Sequence, residues 1–382
     1  MKEYVIVGAG PAAICALVKL ISAGVARDKL LWIDSKFKVG SFGTDLSIGS
    51  SVPGNTSVAS YQRVNKAIYS LFASSLPKKE FELNSLPLKE TCPLKIAAEP
   101  LQEISDYLRE SVPTIEGWVT DIQETKSGLQ LNLKSDDKIL AKRALLAIGA
   151  VPKTLDLPDS ITLIPPNIAF IESELQKYIK ANPTIKKVAV IGSSHSAALA
   201  VMHLLKAGIA VKQFMNKEYL FATPALTKDG KPYTQFDNTG LKGEVAAFTR
   251  FLLNEEKNNK GIYTGRWQYF INKNKAISSE DLSGCSHAVI TIGYKPASTL
   301  QINNLPISEI QHDNRTTQLQ YNKGKFIPGL FGLGIAFPLE VTAFSGEVEL
   351  AVGVEKFWSN INDKILREWE NNPAFIEKIY SG

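Results

Sequence analysis

Two segments of this chain carry one pattern. "YVIVGAGPAAICALVKLISAG" at residues 4–24 and "VAVIGSSHSAALAVMHLLKAG" at residues 188–208 each run as an apolar, β-branched strand, a turn of small residues, an amphipathic helix and Ala-Gly. A strand that passes through such a turn straight into a helix opens a parallel βα unit, because a parallel neighbour can be reached only by a crossover. Two such openings predict an α/β chain with two Rossmann-like doubly wound domains. The 382 residues are enough for two or three cores of about 150 residues each.

A further strand follows each opening, "KLLWIDS" after the first and "AVKQFMN" after the second. Between the two units "EPLQEISDYLRES" reads as a helix, and "WVTDIQET", "LQLNLKS" and "ILAKRALLAIGA" read as strands returning to a sheet. Residues 151–167, which contain prolines, read as a crossover linker, and "SHAVITIGYKPAS" closes the second unit. "GKFIPGLFGLGIAFPLEVTAFSGEVELAVGVEKFW" then returns as strand, turn and long helix. The simplest topology inserts one domain, 156–300, into another made of 1–155 and 301–382.

In "GAGPAA", Gly8, Gly10 and Ala13 fit G-x-G-x-x-G/A directly after a strand, with Pro11 and Ala12 between them. Gly8 permits the tight turn, Gly10 lets the backbone approach a pyrophosphate, and Ala13 lets helix and strand pack closely. The pyrophosphate would sit on the helix N-terminus, where N–H groups and the dipole favour negative charge. Asp34, followed by Ser35, ends the next strand, where a carboxylate can accept both ribose hydroxyl hydrogens.

The second turn, Gly192, Ser193, Ser194, His195, Ser196 and Ala197, has Ser194 in place of the second glycine. His195 reads as a polar residue at the helix start, facing cofactor or solvent, in preference to an acid–base catalyst. No acid ends the following strand; Asn216 and Lys217 stand there instead. A cation in that place suits a 2′-phosphate, which favours NADPH with NADH possible, although a solvated lysine satisfies the pattern equally well.

Charge and composition exclude other classes. The 43 Lys and Arg exceed the 38 Asp and Glu by only a net +5, and they are scattered, so no nucleic-acid stripe or membrane-binding polybasic tail is present. Cys15, Cys92 and Cys285 form neither a CxxC pair nor a zinc spacing, which fits a reducing, cytoplasmic compartment. With 4 histidines and no carboxylate pair, no metal is expected. The apolar opening reads as strand, turn and helix, with Lys19 inside the helix, rather than as a signal peptide.

Two such units, one inserted in the other, with "LLAIGAVPKTLDLP" before the second turn and "VITIGYKP" after it, resemble the flavoproteins with two dinucleotide-binding domains. The resemblance spans nearly the whole chain. It implies FAD at the first turn and NAD(P)H on the inserted domain, with Gly149 and Gly293 at strand-to-crossover junctions. The missing cysteine pair argues against the disulfide-reductase and thioredoxin-reductase branches, since electrons cannot pass through an absent dithiol. Simple NAD(P)H oxidoreductases of this superfamily carry a Gly-Asp at the last flavin segment, where "FGLGIAFP" has Gly334 and Ile335. An apolar, Gly-containing segment there is similar to flavin-containing and N-hydroxylating monooxygenases, and so is Ser196-Ala197-Ala198 after the second turn.

"SSVPGNTS" also resembles the flavin-containing monooxygenases, whose S-V-x-x-N-[ST] is matched by Ser51, Val52, Asn55 and Thr56. "VGSFG", ending at Gly43, stands in place of that family's Gly-Gly-x-Trp turn. The resemblance sets Asn55 beside the flavin, where an amide can hydrogen-bond the ring or a peroxide on it without adding charge. The monooxygenase fingerprint F-x-G-x-x-x-H is absent between Gly149 and Lys187.

The activity implied is that of a FAD-dependent, NADPH-using monooxygenase that forms a hydroperoxyflavin from dioxygen and oxygenates a nitrogen or sulfur of a small molecule. A flavoprotein reductase without oxygen insertion and a non-catalytic flavin-binding module remain as alternatives. Residues 221–253 read either as a lid or as a surface excursion. Tyr61 and Tyr69 read either as pocket or as core, and Trp358 and Trp369 as packing.

Overall fold

The computed structural model describes residues 1–42, 56–73, 76, 79–88, 90–237, 239–271, 276–296, 299–322, 324–342, 346 and 348–370. Gly43, Ser51, Val52 and Asn55 lie outside them.

The architecture is α/β with two parallel sheets, as the repeated opening predicts. In the first sheet Thr114–Glu116, Leu30–Asp34, Lys2–Val7, Lys138–Leu146 and Phe326–Gly332 lie side by side and pair in parallel. Val119–Thr125 and Gly128–Leu133 extend it in antiparallel fashion. Segments from both ends of the described chain therefore meet in one sheet. In the second, Trp267–Ile271, Ala210–Met215, Lys187–Ile191, His287–Ile290 and Thr162–Leu163 are parallel throughout. In each sheet the chain leaves the strand before the glycine turn to one side and later fills the other side. Lys2–Val7 and Lys187–Ile191 thus sit at the point where strand order reverses, and the crevice beyond their carboxyl ends is where such sheets hold ligands.

Both strands are apolar because both of their faces are covered, one by helices and the other by further strands and loop segments: Val5, Ile6, Val188, Ala189 and Val190 are fully buried. The helices that follow, Pro11–Ser22 and His195–Lys206, end alike. Gly24 and Gly208 adopt left-handed φ values of +93° and +85°. The residues after them, Val25 and Ile209, donate to the carbonyls of Leu20 and Leu204 at 3.0 and 2.9 Å. The shared Ala-Gly is thus a helix stop that satisfies otherwise orphaned carbonyls. Ile14, Leu17 and Val18 on the first helix are fully buried, each stabilising the fold by about 1.5–3 kcal/mol.

The two sheets are joined by two chain segments lying side by side, Ala150–Pro152 and Tyr294–Pro296, which pair in antiparallel fashion.

One expectation is corrected. The long C-terminal helix is instead a hairpin, Leu339–Thr342 with Val348–Ala351, followed by a short helix, Val354–Asn360. The hairpin strands "LEVT" and "VELA" alternate in exposure, a two-residue period that no helix face can use. Gly353, at φ +110°, sets the direction of the short helix.

Candidate functional site

One cavity of about 1460 Å³ opens at both points where strand order reverses. Single small-ligand pockets run to about 1,000 Å³, so this one has room for more than one molecule. Of the residues singled out from the sequence, Gly8, Gly10, Pro11, Ala12, Asp34, Ser35, Gly149, Gly192, Ser193, Ser194, His195, Ser196, Lys217, Gly293, Gly334 and Ile335 all line it. Ala13 and Ala197 do not; both are fully buried beneath their turns, where they allow helix and strand to pack.

The first glycine of each turn is required by the protein's own backbone. A Cβ on Gly8 would stand 2.3 Å from the carbonyl oxygen of Ala147, and one on Gly192 would stand 2.2 Å from Thr291 Oγ1. Gly10 is different: its φ of −74° suits any residue, and a Cβ there would meet nothing within 4 Å. The space in front of Gly10 is a cradle that a methyl group would occupy. Neither helix has an acidic residue in its first turn, so each N-terminus presents its dipole to the cavity without an internal counter-charge. These features fit a pyrophosphate.

Asp34 fastens the first turn. Its Oδ2 accepts from the Ala9 N–H at 2.9 Å, and its Oδ1 accepts from Lys36 and Phe37 N–H at 2.8 and 2.7 Å. A carboxylate has about four acceptor positions, so one remains for a ligand hydroxyl rather than the two expected from sequence.

Strand register reveals how the second site differs. Gly8 N–H donates to Ile33 O, and Gly192 N–H donates to Phe214 O, both at 2.8 Å. Ile33 and Phe214 are thereby equivalent, and one residue further on Met215 occupies the position of Asp34. Lys217 falls where Lys36 falls. The residue in the acid's place is therefore the buried, cavity-lining Met215, and Asn216 follows it.

The same correspondence exposes a pair of clamps that no sequence pattern announced. Trp32 Nε1 donates to the Gly8 carbonyl at 2.7 Å, and Gln213 Nε2 donates to the Gly192 carbonyl at 2.9 Å. Gln213 is fully buried and also bonds Tyr219 and Trp267, the latter donating to its Oε1 at 3.1 Å. An alignment on the glycines does not pair them, since Trp32 lies 24 residues after Gly8 and Gln213 only 21 after Gly192.

His195 is buried at the start of its helix and faces the cavity. Tyr294, beside the junction glycine Gly293, hydrogen-bonds Ser196, while burial raises its phenol above the ordinary value. Tyr61 lines the cavity and hydrogen-bonds Thr56; Tyr69 packs edge-on against Phe81 instead. Trp369 is fully buried, and Trp358 lies under the Lys19 ammonium at 4.1 Å, both packing as expected.

The inserted segment reaches the same cavity. Leu220, Thr239 and Gly240 line it, Thr239 Oγ1 donates to Glu349 at 2.8 Å, and Asp237 pairs with Lys242 and Lys356 at 3.0 and 3.2 Å. Burial pushes the Asp237 carboxyl up, and the two ammonium groups more than reverse this, holding it below its ordinary value. These contacts fasten the insertion to the C-terminal hairpin and the helix after it.

All three cysteines are free thiols, Cys15 and Cys92 buried, and none lines the cavity. Among the described residues no group of His, Cys, Asp or Glu could hold a metal, and no helix is long and apolar enough to cross a membrane.

Two glycine turns of this geometry facing one cavity agree with a match to known proteins: residues 2–309 fit the pyridine nucleotide-disulphide oxidoreductase family. The chain belongs to that family. Its members are oxidoreductases that work with a flavin and a nicotinamide nucleotide, and the two turns supply a place for each. The chain is 28% identical to the monooxygenase AgnR1 of Paecilomyces divaricatus, over 96% of its own length and 97% of that protein's. Among solved structures, it resembles a flavin-containing monooxygenase from Stenotrophomonas maltophilia, with a TM-score of 0.59 and 13% identity over 96% of this chain and 98% of that one. It is also similar to the ornithine N-hydroxylase of Kutzneria sp. 744, with a TM-score of 0.58 and 13% identity over 97% and 99% of the two chains. The structural likenesses speak to the fold.

Proposed function

We propose that this protein is an NADPH-dependent flavin monooxygenase that transfers one atom of dioxygen to a nitrogen or sulfur nucleophile of a small molecule. FAD is held at the first turn and NADPH at the second, with 1–155 and 301–382 forming the flavin domain and 156–300 the nicotinamide domain. The observation that carries the reading is that both turns open on one cavity that no cysteine lines. The likeness to a monooxygenase along the whole chain supports it.

A bound flavin would supply hydride acceptance from the nicotinamide and reactivity toward dioxygen, of which one oxygen atom would go to substrate and the other to water. The chain's own work is to bind, orient and keep water out. Gly10 and the first helix N-terminus hold the FAD pyrophosphate, and Asp34 accepts a ribose hydroxyl. At the second turn, Met215 in place of an acid removes the repulsion that a 2′-phosphate would meet, and Lys217 supplies a counter-charge. Gly334, Ile335 and Ala336 give an uncharged wall, and Phe357 lies against Gly334, 4.0 Å from the position of a Cβ there. Asn55, next in sequence to the cavity-lining Thr56, is the uncharged amide that the sequence resemblance assigns to the reacting face.

The test is to mix the purified, flavin-loaded protein with NADPH and a thioether in air. Sulfoxide formed in proportion to NADPH consumed supports the reading. NADPH consumption that yields only hydrogen peroxide, or a reduced acceptor, assigns the protein to the reductases.

A further inference from the structure

The wall of the cavity beyond the two turns can be followed through contacts. Phe42 meets the Tyr61 ring edge-on, with centroids 6.1 Å apart. Tyr61 hydrogen-bonds Thr56, whose Oγ1 lies 4.0 Å from the position of a Cβ on Gly353. Val352 and Gly353 join the hairpin strand that holds Leu350 to the short helix that carries Phe357, and Glu349 ties that hairpin to Thr239 beside Gly240. Phe42, Tyr61, Leu350, Val352 and Phe357 all line the cavity.

Charge is distributed unevenly around this space. Among the described lining residues the charged ones are Asp34, Lys36, Lys38 and Lys217, which end or follow the strand that comes after each glycine turn and its helix. Glu349 is 5% exposed, engages Thr239, and does not line the cavity. At the rim the hairpin exposes apolar side chains, with Leu350 47% and Val348 62% exposed. A charged ligand seated on Phe42, Leu350, Val352 and Phe357 would lose hydration without gaining a counter-ion among the described residues of that wall.

Tyr61 places a hydroxyl on this wall, beside Thr56. It is 4% exposed on the helix Val58–Leu71, and burial raises its phenol well above the ordinary value, so it stays protonated and can donate.

We propose that the substrate is an uncharged, largely apolar molecule that carries a hydrogen-bond-accepting oxygen, seated on Phe42, Leu350, Val352 and Phe357 and anchored by the Tyr61 hydroxyl. This rests on the monooxygenase reading for the use of the cavity. It sets the chain apart from enzymes that act on free amino acids or on cationic amines, whose charges need partners of opposite sign.

The test compares three thioethers, 4-(methylthio)phenol, thioanisole and L-methionine, by calorimetric titration into the oxidised, flavin-loaded protein without NADPH. Both aryl sulfides should bind at least about tenfold more tightly than L-methionine, because the latter must desolvate two charges. Tyr61→Phe should weaken the phenol by about threefold to tenfold and leave thioanisole within about twofold. Leu350→Lys, at an exposed position, should weaken both aryl sulfides.

Equal or tighter binding of L-methionine, no binding of either aryl sulfide, an equal effect of Tyr61→Phe on both, or indifference to Leu350→Lys would each overturn the inference. Failure of the monooxygenase reading looks different: NADPH is consumed without sulfoxide while the binding order stands. If the substrate inference alone is wrong, sulfoxide forms but methionine is preferred.

Discussion

Replacing Gly10 by Ala separates what the fold needs from what a bound cofactor needs. At φ −74° and ψ 174° Gly10 uses no conformation special to glycine, and the added methyl meets no protein atom within 4 Å. The cost to folding is therefore that of Ala in place of Gly at a helix N-cap, about 1 kcal/mol or less. A pyrophosphate drawn close to the backbone would meet the methyl directly, and overpacking of that kind costs about 1–3 kcal/mol, or about fivefold to 150-fold in flavin affinity. Gly8→Ala is the control. Its φ of +103° and the 2.3 Å approach to Ala147 O combine a strained backbone with a backbone clash, about 2–6 kcal/mol against the fold itself. Flavin affinity is measured by fluorescence titration of deflavinated protein, and folding by denaturant titration of the same samples. The reasoning fails if Gly10→Ala binds FAD like the parent, or if it destabilises the flavin-free protein as much as Gly8→Ala.

Three further outcomes are expected. Lys217→Ala should raise KM for NADPH by about tenfold and leave KM for NADH within about twofold, since a charge-assisted contact to phosphate contributes about 1.5 kcal/mol; equal effects on both would make Lys217 a bystander. Asn55→Asp should retain FAD but lower the product formed per NADPH consumed, and unchanged coupling would remove Asn55 from the reacting face. Asp237, half-exposed between Lys242 and Lys356, has a depressed folded value. The stability it contributes is therefore present above its unfolded value of about 4 and is lost as the pH falls through the lower folded one. Asp237→Asn should cost about 0.5–1 kcal/mol at pH 7, discounted for exposure, and progressively less as the pH falls through the folded value. Melting curves of the two proteins across that range give the comparison, and a gap that persists in acid would contradict it.

The parts of the site written into contiguous sequence were readable, and those set by pairing were not. A strand, a glycine turn and a helix are local, so both turns, their junction glycines and the acid Asp34 could be located before any contact was known. Which residue replaces that acid depends on how Ala210–Met215 registers against Lys187–Ile191, and the structure puts Met215 there, ahead of Asn216. Gln213 could not be distinguished from any polar residue in a strand until its bond to the Gly192 carbonyl was seen. Tyr61 and Tyr69 lie on one helix with the same chemistry, and only the helix rotation set by burying Val58, Val64 and Ile68 puts Tyr61 at the cavity. The C-terminal segment misled because its glycines and apolar residues suit either a turn and helix or a hairpin. The alternating exposure of Val348–Ala351 is a tertiary outcome.

The fate of the oxygen atoms separates a monooxygenase from a reductase most directly. The flavin-loaded protein is given NADPH, 4-(methylthio)phenol and isotopically labelled dioxygen, and the product is weighed by mass spectrometry while NADPH loss is followed by absorbance. The expected product is a sulfoxide carrying one labelled oxygen atom, in near-equal amount to the NADPH consumed. Loss of NADPH matched by labelled hydrogen peroxide, with the thioether unchanged, would contradict it.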